Sequence, residues 1–159
     1  MATKILFVCL GNICRSPAAE GVFLHLLKLK KLSREFEVDS AGTGGWHVGS
    51  LPDRRMQKAA NNRGIELPSL ARKINKNDLI NFDLILTMDN ENLCSVKALA
   101  SELDCPPKAK IIPILSFGSN PNLTEVPDPY YGGDMGFERV LDLLEDACDG
   151  LLKNYSSNC

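Results

Sequence analysis

A buried strand followed at once by a polar turn and a helix is the feature that most limits how this chain can fold. Residues 5–8 form a short apolar run, and residues 4–8 are predicted to be a strand that is covered on both faces. A turn follows at residues 9–16, and Pro17 begins a helical pattern that extends to Lys31. Strand, turn and helix in this order are the repeating unit of parallel α/β sheets.

The rest of the chain continues the alternation of strands and helices. Further strands are predicted at residues 36–40, 82–88 and 109–115, and further helices at about 52–64, 90–103 and 137–155. Residues 69–77 are predicted to be a polar connector. Because parallel strands are joined by right-handed helical crossovers, the order predicts an α/β fold, a small doubly wound sheet of four parallel strands with helices on both faces.

The length of 159 residues suits one compact unit, and neither a repeat nor a linker divides the sequence. We therefore expect a single domain that spans residues 1–159. Residues 119–133 are rich in Pro, Asn, Asp and Gly, which predicts a long surface loop. Long loops on a rigid scaffold often carry functional residues.

Charge and hydropathy exclude several classes of partner. Lys and Arg number 18 against 20 Asp and Glu, for a net charge of −2, and no basic cluster is long enough to follow a nucleic-acid backbone. No apolar stretch has the length of a signal peptide or a membrane span. We expect a cytoplasmic protein with no nucleic-acid or membrane partner, and we favour a monomer.

The six cysteines are scattered along the chain, which favours reduced thiols over a disulfide scaffold. The sequence has no C-x-x-C pair, and His25 and His47 are far apart with no ligand spacing between them. We therefore expect neither a metal nor a cofactor.

The turn at residues 9–16 carries the residues of a nucleophilic anion site. Cys9 follows the first strand at the carboxyl edge of the sheet, and the next helix directs its free N–H groups back to this point. A helix N-terminus and the nearby Arg15 each favour the thiolate, so Cys9 is expected to react as an anion. Arg15 can hold two phosphate oxygens in a bidentate fork. We expect Ser16 to donate a hydrogen bond to the sulfur and to cap the helix before Pro17.

The middle of the turn is predicted to form a nest of inward-pointing amides. Gly11 takes a positive φ without cost, and Asn12 is among the few other residues that tolerate one. A blander interpretation remains, because cysteines are often buried apolar residues and a lone C-x5-R match is weak. Cys14 either packs under the loop or forms a disulfide with Cys9 on oxidation.

Three motifs in order carry a family resemblance that covers essentially the whole chain. They are V-C-L-G-N-I-C-R-S-P at residues 8–17, D-S-A-G-T at 39–43 and D-P-Y-Y at 128–131. Together they resemble the low-molecular-weight protein tyrosine phosphatases. The resemblance implies a metal-independent enzyme with acid phosphatase activity, which acts on phosphotyrosine proteins and aryl phosphates.

The resemblance also implies roles for individual residues. Cys9 would form a phosphocysteine intermediate, Asp128 would act as general acid and then as base, and Arg15 would stabilise the transferring group. Other residues would bind phosphate or sandwich the phenyl ring, and these are Leu10, Gly11, Asn12, Ile13, Cys14, Ser16, Trp46, Tyr130 and Tyr131.

Some positions bear on specificity or depart from the family. Ile13 favours phosphotyrosine, because relatives that act on phosphoarginine carry threonine there. Many animal members have a histidine that supports the loop asparagine where this chain has Ser69, so Ser40 and Ser69 are candidates to hold Asn12 instead. Asp89 matches an acidic position that helps to place the tyrosine loop, and it could equally cap a helix.

Other functions remain as alternatives. Arsenate reduction uses the same fold with two further cysteines, for which Cys94 and Cys105 are the candidates, although their spacing differs from that of the known reductases. A non-catalytic phosphate-binding module is a third possibility. Dinucleotide binding is disfavoured, because the first turn lacks the G-x-G-x-x-G spacing.

Overall fold

The chain forms one parallel sheet covered by helices in the computed structural model, which describes residues 2–156. The strands are β1 (Thr3–Cys9), β2 (Phe36–Gly42), β3 (Leu84–Thr87) and β4 (Lys110–Pro113). The α-helices of this part of the chain are α1 (Arg15–Leu29), α2 (Arg54–Asn61), α3 (Lys76–Asn81), α4 (Asn90–Ser101) and α5 (Asp134–Tyr155). Short 3-10 helices lie at Ser33–Glu35 and Ile114–Phe117.

Alternating side chains of β1 enter two separate cores. Ile5 and Phe7 pack in a core built with residues of α1, α2 and α5, whereas Leu6 and Val8 pack with residues of α3 and α4. All four side chains are fully buried. Because neighbouring residues of a strand point to opposite faces, an uninterrupted apolar run requires cover on both sides. The predicted doubly wound α/β fold with four parallel strands is confirmed.

The order of the strands positions the functional edge. The sheet runs β2–β1–β3–β4, with every pair parallel. The chain leaves β1 for β2 on one side and then crosses back to β3 on the other, so the direction of winding reverses between β1 and β3. Ligands of open α/β sheets bind outside the carboxyl ends of the strands at such a switch point. Cys9 ends β1 and Thr87 ends β3 at this edge.

Most element boundaries differ from the sequence-based predictions by one to three residues. Helix α3 is new, because the last residues of the predicted connector begin a six-residue helix, whose N-terminus is fixed by an Asn75–Asp78 capping box. Asp53 caps α2, so this helix begins after Pro52, and α5 begins at Asp134 instead of residue 137. A six-residue helix is too short to show a hydrophobic period, and only its cap could have indicated it.

No helix in residues 2–156 is both long enough and apolar enough to cross a lipid bilayer.

Candidate active site

The sulfur of Cys9 lies at the base of a polar loop, and we call residues 9–16 the Cys9 loop. The residue is 2% exposed, its Sγ lies 2.9 Å from Ser16 Oγ, and the backbone N–H of Asn12 donates to Sγ at 3.2 Å. Helix α1 begins at Arg15, so the unpaired N–H groups of its first turn lie next to the loop. The sulfur therefore lies among hydrogen-bonding groups at a helix N-terminus.

Three carbonyl groups of the Cys9 loop are hydrogen-bonded to neighbouring backbone segments, so they are not free to face an anion bound by the loop. The carbonyl oxygens of Cys9, Leu10 and Ile13 accept hydrogen bonds from the N–H groups of Thr43, Gly44 and Asp53, at 2.9, 2.9 and 2.8 Å. The loop can therefore hold a tetrahedral oxyanion with main-chain donors.

Asn12 has the left-handed backbone conformation in this loop, with a φ of 58°. Its side-chain amide donates to Ser16 Oγ at 2.8 Å and to Ser40 Oγ at 3.0 Å, and its Oδ1 accepts from the backbone N–H of Arg72 at 2.9 Å. Three bonds to a buried amide offset the cost of the unfavourable φ. The prediction that Gly11 supplies a positive φ is wrong.

The two glycines at the loop instead allow neighbouring groups to approach their backbone closely. A Cβ on Gly11 would lie 3.0 Å from the His47 ring, and one on Gly42 would lie 2.7 Å from the carbonyl oxygen of Leu10. Gly42, from the D-S-A-G-T motif, thus lets the end of β2 pack directly against the Cys9 loop.

A buried carboxyl group supports Asn12 from behind. Ser40 Oγ, which accepts from Asn12, donates to one oxygen of Glu20 at 2.7 Å, and Ser69 Oγ donates to the other at 2.6 Å. Ser40 therefore contacts Asn12 directly, whereas Ser69 acts only through Glu20. Burial raises the pKa of Glu20, although the two serine hydrogen bonds oppose this shift. Sequence reasoning missed Glu20, since a helical glutamate carries no sign of burial.

Ser16 does not cap α1. Cys14 occupies the cap position without a side-chain hydrogen bond, and Ser16 lies inside the first turn. Its hydroxyl instead contacts Cys9 Sγ and accepts from Asn12. The predicted contact with the sulfur is confirmed, and the predicted cap is wrong because the helix begins two residues earlier, at Arg15 instead of Pro17.

Arg15 is buried between two acidic residues. Its NH1 donates to Asp89 Oδ2 at 2.6 Å and to the carbonyl oxygen of Val126 at 3.1 Å, and its NH2 lies 3.6 Å from Asp128 Oδ2. Burial opposes the charge, yet Cys9, Asp89 and Asp128 together raise the pKa of Arg15. Asp89 also accepts from the backbone N–H of Asn92, so it both orients Arg15 and caps α4.

Most of the predicted site residues surround a single cleft of about 440 Å³. Asn12 and Ser16 are buried and do not line it. Trp46 and Tyr131 form exposed walls, and His47 is a lining residue that the sequence analysis did not select. The lining consists of Cys9, Leu10, Gly11, Ile13, Cys14, Arg15, Trp46, His47, Asp128, Tyr130 and Tyr131.

Asp128 lies in residues 119–133, which we call the Asp128 loop. Its Oδ1 accepts from the backbone N–H of Tyr130 at 3.0 Å, while Oδ2 faces Arg15. The D-P-Y-Y turn thus holds the carboxylate on the side of the cleft that contains Arg15.

The other cysteines differ in their surroundings. Burial, with Asp53, Cys9 and Asp128 nearby, raises the pKa of the Cys14 thiol, so Cys14 does not compete as a nucleophile. Its disulfide with Cys9 stays a prediction. Cys94 and Cys105 are exposed and do not line the cleft, which gives no support to arsenate reduction. Cys159 lies outside the described residues.

Comparison with known proteins agrees with this geometry. The family model of the low molecular weight phosphotyrosine protein phosphatases matches residues 4–158. The chain is 42% identical to the human protein of that name over 153 residues, which is 96% of each chain.

Two solved structures extend the likeness to the whole fold. A protein tyrosine phosphatase of Entamoeba histolytica has a TM-score of 0.90 and 43% identity over 99% of both chains. A Drosophila arginine phosphatase has a TM-score of 0.93 and 35% identity over 99% of this chain and all of its own.

The chain therefore belongs to the low molecular weight phosphotyrosine protein phosphatase family. This membership confirms the predicted resemblance and the predicted class of enzyme.

Proposed function

We propose that this protein hydrolyses phosphotyrosine and aryl phosphate monoesters through a phosphocysteine intermediate. The observation that carries the proposal is the convergence of three groups on one cleft. Its lining includes a cysteine sulfur (Cys9), a buried arginine (Arg15) and an acidic residue (Asp128). These are the groups that a nucleophile, a charge stabiliser and a general acid require.

In the first step, the Cys9 sulfur attacks phosphorus in line with the leaving phenol oxygen. The S–P bond forms as the P–O bond breaks, and Asp128 gives its proton to the departing oxygen. Arg15 and the inward amides of the Cys9 loop stabilise the charge on the three equatorial phosphoryl oxygens. Asp89 supports this role because it fixes the guanidinium through a 2.6 Å hydrogen bond.

In the second step, water attacks the phosphocysteine and the S–P bond breaks. The Asp128 carboxylate takes a proton from this water, which restores its acid form and releases inorganic phosphate. The contact of 2.9 Å between Ser16 Oγ and Cys9 Sγ supports Ser16 as a donor to the departing thiolate. The cycle consumes one water molecule and requires neither a metal nor a cofactor.

The walls of the cleft favour an aromatic phosphate. Trp46, Tyr130 and Tyr131 offer ring faces to a phenyl group, and Ile13 adds an apolar contact at the depth of the phosphate. A phosphoserine side chain has no ring to contact these walls. Phosphoarginine is the more serious alternative substrate, because an arginine phosphatase has nearly the same fold.

A substrate panel tests this proposal. The reduced protein, assayed with EDTA present, should hydrolyse p-nitrophenyl phosphate and a phosphotyrosine peptide. It should act at least about tenfold less efficiently on phosphoarginine and phosphoserine peptides, since these lose the ring contacts. Equal or better turnover of phosphoarginine would overturn the assignment of substrate, and inactivity towards all four would overturn the enzyme mechanism.

The cytoplasmic location, the monomeric state and the absence of a metal requirement stay predictions.

A further inference from the structure

The Asp128 loop has few attachments on the side that faces the cleft. The backbone N–H of Val126 donates to the carbonyl oxygen of Met88 at 2.7 Å, which anchors the approach to Asp128 at the end of β3. Beyond Val126, the described hydrogen bonds and ion pairs that involve a side chain attach residues 127–133 to other elements at two points. One is the 3.6 Å contact of Asp128 with Arg15, and the other is a hydrogen bond to the carbonyl oxygen of Tyr130.

The second attachment comes from Arg55, in the first turn of α2. Its NH2 donates to the Tyr130 carbonyl oxygen at 2.9 Å. The same guanidinium makes a fork to Asp53, with Nε at 3.1 Å from Oδ1 and NH2 at 3.0 Å from Oδ2. A guanidinium whose NH2 and Nε are both bound has a fixed orientation, so the donor to Tyr130 is fixed as well.

The Arg55 guanidinium also lies over two aromatic rings. Its central carbon lies 4.7 Å from the ring centre of Phe137 and 5.6 Å from that of Tyr130. Phe137 is buried in the first part of α5, directly after the Asp128 loop. Arg55 therefore contacts both the turn that carries Asp128 and the helix that follows this turn.

A continuous chain of hydrogen bonds joins the two catalytic loops through this arginine. The backbone N–H of Asp53 donates to the carbonyl oxygen of Ile13, inside the Cys9 loop, at 2.8 Å. The Asp53 carboxylate holds Arg55, Arg55 holds the Tyr130 carbonyl, and the Tyr130 N–H holds Asp128. Although partial burial opposes it, Arg55 lowers the pKa of Asp53, so this link stays charged at a lower pH than a free aspartate would.

The geometry points to Arg55 as a positioning residue that sets the distance between Asp128 and Cys9. This inference rests on the proposed function, because it concerns the acid of that reaction. Arg55 touches neither the substrate nor the sulfur, and it acts by fixing the turn two residues beyond the acid. Displacement of a catalytic group by about 1 Å can cost about a hundredfold in rate, so a single hydrogen bond at this place matters.

The leaving group reveals this role. Phenyl phosphate needs a proton from Asp128 as its bond breaks, whereas p-nitrophenyl phosphate releases a stabilised phenolate and needs the proton less. We expect Arg55→Ala to lower kcat/KM about tenfold for phenyl phosphate and less than about threefold for p-nitrophenyl phosphate. A plot of log kcat/KM against leaving-group pKa should then become steeper.

Arg54→Ala is the matched control. Arg54 is exposed in the same helical turn and loses the same charge, but it has no described contact with the Asp128 loop. Its leaving-group slope should equal that of the unmodified protein. Arg55→Lys keeps the positive charge and a hydrogen-bond donor but lacks the planar fork. It should recover part of the kcat/KM that Arg55→Ala loses. It also serves as the test variant if Arg55→Ala does not fold.

A double variant separates positioning from simple stability. With Asp128→Asn already in place, Arg55→Ala should cost less than about twofold for either substrate, because the group that it positions is gone. An equal loss with all leaving groups, or an undiminished loss in the Asp128→Asn background, would overturn the proposal. Failure of the proposed function looks different, since the unmodified protein itself would then be inactive.

Discussion

The Cys9 loop and the Asp128 loop lie at the same cleft but are built in opposite ways. Cys9, Asn12, Arg15 and Ser16 are each at most 2% exposed, and their side chains are hydrogen-bonded within the protein. The Asp128 loop is largely exposed, and its turn depends on separate contacts with Arg15 and Arg55.

The difference fits what each loop would have to do in the proposed reaction. The site that receives the charge of the transferring group must be fixed before the reaction, because donors that reorganise lose their advantage. The loop that carries the acid also borders the entrance for substrate, so it cannot be buried. We infer that the most stable contacts lie beneath the place of the phosphoryl group, and that a few surface contacts determine how accurately Asp128 is positioned.

Replacement of the sulfur is the most severe test of the Cys9 loop. Cys9→Ser should lower the rate with p-nitrophenyl phosphate at least about a thousandfold, because a neutral hydroxyl at the same place is a poor nucleophile. Steady-state kinetics measures this effect. Cys94→Ser, the same substitution on an exposed face of α4, is the control and should keep full activity.

Removal of the acid tests the Asp128 loop with a smaller expected effect. Asp128→Asn should lower kcat/KM for phenyl phosphate by about a hundredfold, which is the typical contribution of a general acid. Asp134→Asn, an exposed acid at the start of α5, should leave it unchanged. A loss of less than threefold in Asp128→Asn would place the acid elsewhere.

Ser40 tests how far the support under the Cys9 loop extends. Ser40→Ala removes the donor to Glu20 and the acceptor for Asn12, so it should lower the free energy of unfolding by about 1–3 kcal/mol and slow the reaction severalfold. Ser69→Ala removes only the outer hydrogen bond of Glu20 and should cost less. Denaturant unfolding and kinetics measure both, and an unchanged Ser40→Ala protein would contradict the described support of Asn12.

Because the Glu20 carboxyl is buried, the stability of the hydrogen bonds that support Asn12 should depend on pH. Burial raises the pKa of Glu20 in the folded state above its ordinary value of about 4.3, so the folded state binds the proton more tightly. Its contribution to stability is full below pH of about 4 and is lost as pH rises through the folded value. Glu20→Gln stays neutral throughout, so it should gain stability relative to the unmodified protein between pH 4 and 7. Unfolding midpoints across this range check the trend, and a relative loss would contradict it.

A substitution at the entrance of the cleft should have the smallest effect on the kinetics. Tyr131 is 92% exposed, so Tyr131→Ala should raise KM for a phosphotyrosine peptide severalfold and leave kcat within about twofold. A large fall in kcat would show that this ring orders the Asp128 loop as well as the substrate.

The two loops also differ in what the sequence could reveal. The Cys9 loop is a local arrangement in which strand, turn and helix follow one another, so residues 9–16 predicted both the nucleophile and the anion site. Arg55 and Glu20 carried no such sign, because their partners Tyr130 and Ser69 are distant in the sequence and meet only in the fold. The error at Ser16 arose because α1 begins two residues before its predicted start, and the error at Gly11 arose because the positive φ falls on the next residue, Asn12.

The central claim is that Cys9 itself accepts the phosphoryl group. Asp128→Asn should accumulate this intermediate with p-nitrophenyl phosphate, because a good leaving group departs without the acid whereas hydrolysis still needs the base. Rapid quenching followed by peptide mass spectrometry should then find one phosphoryl group on the peptide that contains Cys9. A phosphoryl group on another residue, or none at any time while turnover continues, would contradict the account.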